Sequence, residues 1–233
     1  MMKHISTVLL VLISLNLQAQ KKSKDQYLEC GFLFGLTNYS GDVAEKRIEF
    51  SETQPGYGVF VRYNLAPKFA IKAHLYTGSI RGDDKNSPVL YDRKFKFSTN
   101  IVETAAILEY NFLGKPRFSK TGLRNLNFSP YVFIGGGVTF LVADAQYYGP
   151  PEKRNDYLTV PFPEDDLPKR LFILPTGVGL KVNMLERFVL GLDVGWRPVF
   201  SDGLDGVKIN GNPNQSDWYY FVGITTSFII TGK

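Results

Sequence analysis

The segment RFVLGLDVGWRPVF, residues 187–200, alternates with a strict period of two. Phe188, Leu190, Leu192, Val194 and Trp196 occupy one set of positions, and Val189, Gly191, Asp193, Gly195 and Arg197 the other. Successive side chains of a β-strand point to opposite faces, so the pattern describes a strand between two unlike environments. In a soluble sandwich the second face would meet bulk water and carry Thr, Lys, Glu and Ser. Here it is mostly glycine with two opposite charges, which suits a narrow polar space better than open solvent.

The pattern makes eight segments in all, at about 27–36, 56–65, 69–78, 100–112, 130–141, 172–183, 187–200 and 217–230. In the first, Cys30, Phe32, Phe34 and Leu36 alternate with Glu29, Gly31, Leu33 and Gly35; in the fourth, Val102, Thr104, Ala106 and Leu108 oppose Glu103, Ala105, Ile107 and Glu109. Connections 37–55, 79–97, 142–170 and 198–216 are long and rich in Gly, Asp, Asn and Pro, whereas 65–68 and 183–187 are tight turns. Long and short connections in alternation, with strands of about ten residues, predict an all-β fold: an eight-stranded antiparallel transmembrane β-barrel with both termini on one side. A secreted sandwich would leave the small, charged faces and the aromatics at strand ends unexplained.

An eight-stranded barrel is only wide enough inside to be filled by side chains. The expectation is therefore a plugged polar lumen, with Glu29, Glu103, Glu109 and Asp193 facing Arg62, Lys72, Lys181 and Arg197, and with His74 as a titratable member. Unpaired buried charge is costly, and this set is balanced. Tyr57, Tyr63, Tyr110, Trp196 and Trp218 are expected outside as interfacial girdles, and Asp84 is read as an exposed loop charge.

Lys3 and His4 precede an apolar run from Val8 to Leu17, followed by Leu17-Gln18-Ala19-Gln20. This is the layout of a secretory signal peptide, residues 1–19, leaving a barrel domain at 20–233 and an outer-membrane destination. Cys30 is too far downstream to carry a lipoprotein anchor, and a single cysteine excludes an intramolecular disulfide. The net charge of +5 and pI near 9.1 come from scattered Lys and Arg, so no nucleic-acid partner is expected. His74 is the sole histidine after the signal segment and no G-x-S-x-G motif accompanies it, so a structural ion network is expected in place of general acid/base chemistry. One His and one Cys on different strands give no metal-ligand spacing. Gly135-Gly136-Gly137 lies within a strand pattern, with no helix after it, and is not a phosphate loop. No enzyme activity, cofactor or small-molecule substrate is expected; the expected environment is membrane lipid.

Several motifs follow one another in a recognisable order: Asn38-Tyr39-Ser40-Gly41-Asp42-Val43, Arg62-Tyr63-Asn64-Leu65, Glu109-Tyr110-Asn111-Phe112, Ser129-Pro130-Tyr131-Val132-Phe133, Gly177-Val178-Gly179-Leu180-Lys181 and Asp217-Trp218-Tyr219-Tyr220. The ordered set resembles the PorG family of outer-membrane barrels from Bacteroidetes. Where that family usually shows a Tyr-Leu-Asp-Asp-Val run, this chain has Gly203-Leu204-Asp205-Gly206-Val207, as a diverged paralogue would. The resemblance implies a non-enzymatic component of the type IX secretion system, associated with a periplasmic ring of PorK and PorN. Alternatives are a general structural or small-solute barrel and a lipid-modifying barrel enzyme. Residues 114–127, GKPRFSKTGLRNLN, carry Lys115, Arg117, Lys120 and Arg124 and no acid. This connection, longer than a barrel turn needs, is the candidate docking loop for the ring.

Overall fold

Each alternating segment forms a strand of one closed wall. The computed structural model describes residues 26–40, 50–86, 91–92, 94–115, 128–150, 152, 160–161, 169–185, 187–200, 204, 207–208 and 218–231. The expected signal peptide, residues 1–19, lies outside them. The wall strands are β1 (Tyr27–Ser40), β2 (Gln54–Ala66), β3 (Phe69–Asp83), β4 (Phe95–Asn111), β5 (Phe128–Tyr147), β6 (Arg170–Ile173 and Thr176–Asn183), β7 (Phe188–Pro198) and β8 (Trp218–Thr231). Each pairs antiparallel with its neighbours in sequence, and β8 pairs with β1 to close an eight-stranded ring. The two pieces of β6 share one register along β5, with Gly137 opposite Ile173 and Ile134 opposite Thr176. Pro175 interrupts the ladder because it has no N–H, yet its carbonyl still accepts the Gly135 N–H at 2.8 Å.

The register fixes the barrel's shape. Cross-strand partners followed around the wall run Leu28, Tyr63, Ile71, Leu108, Ile134, Thr176, Trp196, Tyr220 and back to β1 at Asn38, ten residues above the start. A stagger of that size tilts the strands by roughly 40° from the axis and leaves room for side chains alone.

Several strands run further than the sequence pattern suggests: β1 reaches Ser40, β3 reaches Asp83, β4 begins at Phe95 and β5 continues to Tyr147. The reason is a change of outer surroundings. Inward positions stay apolar there, at Ile80, Phe97 and Leu141, while outward positions become Ser79, Arg81, Lys96, Ser98 and Asp144. The ladder continues after the apolar band has stopped. Residues Val160–Pro161 and Val207–Lys208 pair in a short ladder of their own that ties two of the long connections together.

Below that edge the wall is inside-out. Phe32, Phe34, Leu75, Leu108, Leu192 and Ile224 are exposed, while the charges on the opposite face are buried. This is the arrangement of a transmembrane β-barrel, in which lipid replaces water around the apolar face. Tyr57, Tyr63, Trp196 and Trp218 all point outward. Tyr110 is half-buried between Phe69 and Phe112. Asp84 corrects the sequence reading: it is fully buried, and its carboxylate accepts the Phe95 N–H at 2.9 Å, which fixes the turn into β4.

Candidate functional site

The site is the lumen. Glu29, Arg62 and Lys72 are direct cross-strand partners on β1, β2 and β3, so they form one row of alternating sign along the inner wall. Glu109, Lys181 and Asp193 reach the same space from β4, β6 and β7. Glu109 is the hub: its carboxylate meets Arg62 Nε at 3.0 Å, Lys72 Nζ at 3.2 Å and the Lys181 ammonium. Arg62 also meets Glu29 at 2.7 Å, and Lys72 meets Asp193 at 2.9 Å. Three acids thus face three bases. Neutral groups complete the shell: Asn64 Nδ2 and Ser227 Oγ each donate to Glu29 at 2.8 Å, and the Tyr131 hydroxyl donates to Asp193.

A second cluster lies nearer the end of the long connections. Glu103 receives His74 Nε2 at 2.7 Å on one oxygen, and Arg197 Nε at 3.3 Å and the Tyr219 hydroxyl at 2.5 Å on the other. Thr139 Oγ1 lies 2.8 Å from the same hydroxyl. Beyond it the lumen turns apolar. Tyr39, Ile80, Phe97, Ile101 and Leu141 form a cap with Val199 and Leu204, and the Leu204 carbonyl is held by Thr99 Oγ1 at 2.9 Å.

Aromatic rings fill the space around the cations. The Arg62 guanidinium lies 4.8 Å from the Phe60 ring centre, Lys72 Nζ 5.3 Å from that of Phe133, and Arg197 5.2 Å from that of Phe221. Such contacts favour a cation that has left water. The inward glycines make room for these rings. A Cβ on Gly31 would lie 2.6 Å from Phe60, and one on Gly179 would lie 2.5 Å from Tyr131, closer than any real Cβ contact. The glycines of the opening segment make room for polar side chains instead: a Cβ on Gly191 would run into Thr225 Oγ1, and one on Gly195 into the Arg197 guanidinium.

All nine ionisable residues expected inside lie in the lumen, and none exceeds 7% relative exposure. The structure brings them together as two clusters, where the sequence suggests one pool. Tyr131, Tyr219, Thr139, Asn64 and Ser227 are not part of the ion network expected from the sequence, although each shares the inward parity of a charge on its own strand or faces one across the lumen. Of the candidate docking loop, Lys115 is exposed, and Arg117, Lys120 and Arg124 lie outside the described residues.

Chemically, the arrangement holds charge and leaves little else. At the end with the termini, a space of about 20 Å³ remains beside Glu29, Asn64, Asn111, Lys181 and Asn183, enough for about one water. Among the described residues no group of three or more His, Cys, Asp and Glu side chains is placed to hold a metal ion.

Solved outer-membrane barrels are similar in outline. A major outer membrane protein from Thermus thermophilus shares 13% identity, with 87% of this chain and 99% of that one covered, at a TM-score of 0.44. Ail, the attachment invasion locus protein of Yersinia pestis, shares 10% over 88% and 99%, at 0.41. OprG from Pseudomonas aeruginosa shares 12% over 87% and 95%, at 0.39. No curated protein matches the chain. A family described as a domain of unknown function, DUF6089, matches residues 3–233, and the chain belongs to that family.

Proposed function

We propose that the protein is a non-enzymatic outer-membrane component of a type IX secretion apparatus, tied to a periplasmic ring of PorK- and PorN-like proteins. The observation that carries this reading is where the resemblance motifs meet. Arg62 of the RYN motif, Glu109 of the EYN motif and Lys181 at the end of GVGLK join in one ion cluster. Asn64 and Asn111 of the first two lie together at the mouth on the side of the termini. Residues that resemble a family pattern in scattered stretches of sequence are thus one physical unit, as they would be if the pattern specified a plugged barrel.

A plugged barrel acts through its surfaces. By the topology of such proteins the tight turns face the periplasm, and the connection between the end of β4 and the start of β5, which leaves the wall at that same end, would then face the ring. The positive charge of its residues 114–127 would steer and orient an acidic partner more than it would add affinity. The test is co-purification of ring proteins with a tagged barrel, before and after Arg117 and Lys120 are changed to Glu. Ring proteins should come down with the wild type and be depleted in the reversed-charge variant at equal barrel abundance. Their absence from the wild-type eluate overturns the assignment, and undiminished capture by the variant reduces the loop to a lipid contact through its long basic side chains.

A further inference from the structure

Above the apolar band, the outer face of β3, β4 and β5 carries a recess that the plugged lumen does not explain. Asp83 pairs across strands with Lys96, Lys96 with Gln146, Arg81 with Ser98, and Ser98 with Asp144, so these six outward side chains form one continuous patch. The turn at Phe50–Glu52 lies against β3, with Glu52 accepting the Asp83 N–H at 2.9 Å and Asn86 Nδ2 at 3.1 Å, and this turns the patch into a cavity of about 380 Å³. Its lining adds Ser51, Gln54 and Asn86.

We infer that this recess binds the phosphorylated sugar head group of an outer-leaflet glycolipid. Three observations support the ligand class. First, Arg81 and Lys96 are exposed, and among the described residues neither forms an ion pair, so two cations are available to one phosphate. Charge-assisted hydrogen bonds to phosphate are among the stronger polar contacts. Second, the remaining lining mixes carboxylates, amides and hydroxyls. Sugar hydroxyls both donate and accept, and such a mixture can serve both roles. Asp83 is held in place by the Tyr148 hydroxyl, which donates to its carboxylate at 3.0 Å. Third, the patch lies on the outward face of the wall, at the upper edge of the apolar band. The outward apolar side chains end at Leu75 on β3, Val102 on β4 and Val142 on β5, and the patch begins just past them, at the level where head groups of surrounding lipid lie.

The test is native mass spectrometry of the purified barrel in detergent, with three probes: deep-rough lipopolysaccharide, the same lipid after phosphatase treatment, and inorganic phosphate. The wild type should retain the intact lipid. R81A/K96A, with its heat-modifiable gel shift intact, should retain it roughly tenfold less, the loss expected for two solvent-exposed charge pairs. The dephosphorylated lipid should be held as poorly by the wild type, and millimolar inorganic phosphate should not displace the intact one. Equal retention by wild type and double variant overturns the site. Equal retention of the dephosphorylated lipid overturns the phosphate contact, and displacement by inorganic phosphate overturns the sugar contact. D144A, which keeps both cations, separates the two further: weaker retention of the lipid supports contact with the sugar, and unchanged retention speaks against it.

Discussion

Glu109 in the lumen is fully buried and touches three cations, whereas Lys96 on the outer face of the same β4 strand is exposed and among the described residues pairs with no acid. Both sit on one ladder, thirteen positions apart, and the wall gives them opposite settings. Inside, charge is tolerable only when matched, because moving an ion out of water costs several kcal/mol unless partners replace the hydration shell. Outside and above the lipid, an unmatched cation costs little and remains available. Charge inside the barrel is therefore kept only where it is paired, and unpaired charge outside marks where the protein can meet something else.

That contrast has consequences of decreasing size. Planar-bilayer recordings of the wild type should show no steady conductance, since matched ions, rings and the apolar cap occupy the lumen in turn; a stable open pore would mean the interior is hydrated and the contrast false. Glu109→Ala should lower the unfolding free energy by roughly 3–5 kcal/mol, measured by denaturant titration of the gel-shifted form, because three cations lose their shared acid. Gly179→Leu forces a side chain into the Tyr131 ring and should cost roughly 1–3 kcal/mol by the same measurement; a neutral result would show that the glycine face is not ring floor. Tyr219→Phe removes a hydroxyl from Glu103 and Thr139 at little change in shape, for a loss of about 1.5 kcal/mol or more. Lys96→Ala should move stability by no more than about 0.5 kcal/mol, and a loss rivalling that of Glu109→Ala would erase the distinction between the two faces.

The two lumen clusters also differ from each other. The cluster around Glu109 is balanced and nearly saturated, with Arg62 Nη2 its one buried orphan atom among the described residues. The cluster around Glu103 is looser, leaving His74 Nδ1 and Arg197 Nη1 buried without hydrogen-bond partners. Orphaned buried donors and acceptors are destabilising, so the half nearer the long connections is expected to unfold first when the barrel is challenged. Site-resolved hydrogen exchange should show earlier opening at Arg197 and Tyr219 than at Glu109 and Lys181.

Period-two alternation was enough to find eight strands, the order of tight and long connections, and the parity that sends Glu29, Arg62, Lys72, Asp193 and Arg197 inward. Those properties follow from chain geometry: a strand has two faces, and each residue's face depends only on its position along it. Which charges meet was not legible, because pairing depends on the stagger between strands and on reach across the lumen. Glu109 and Lys181 lie 72 positions apart and share no strand boundary, yet a salt bridge joins them. The purpose of the glycines was hidden for the same reason, since the ring that needs Gly179 belongs to Tyr131 on the strand beside it. Asp84 looked like a solvated loop residue until the turn into β4 enclosed it. The tops of β3, β4 and β5 were missed because hydrophobic alternation reports contact with lipid, and the hydrogen-bonded ladder does not end where lipid does.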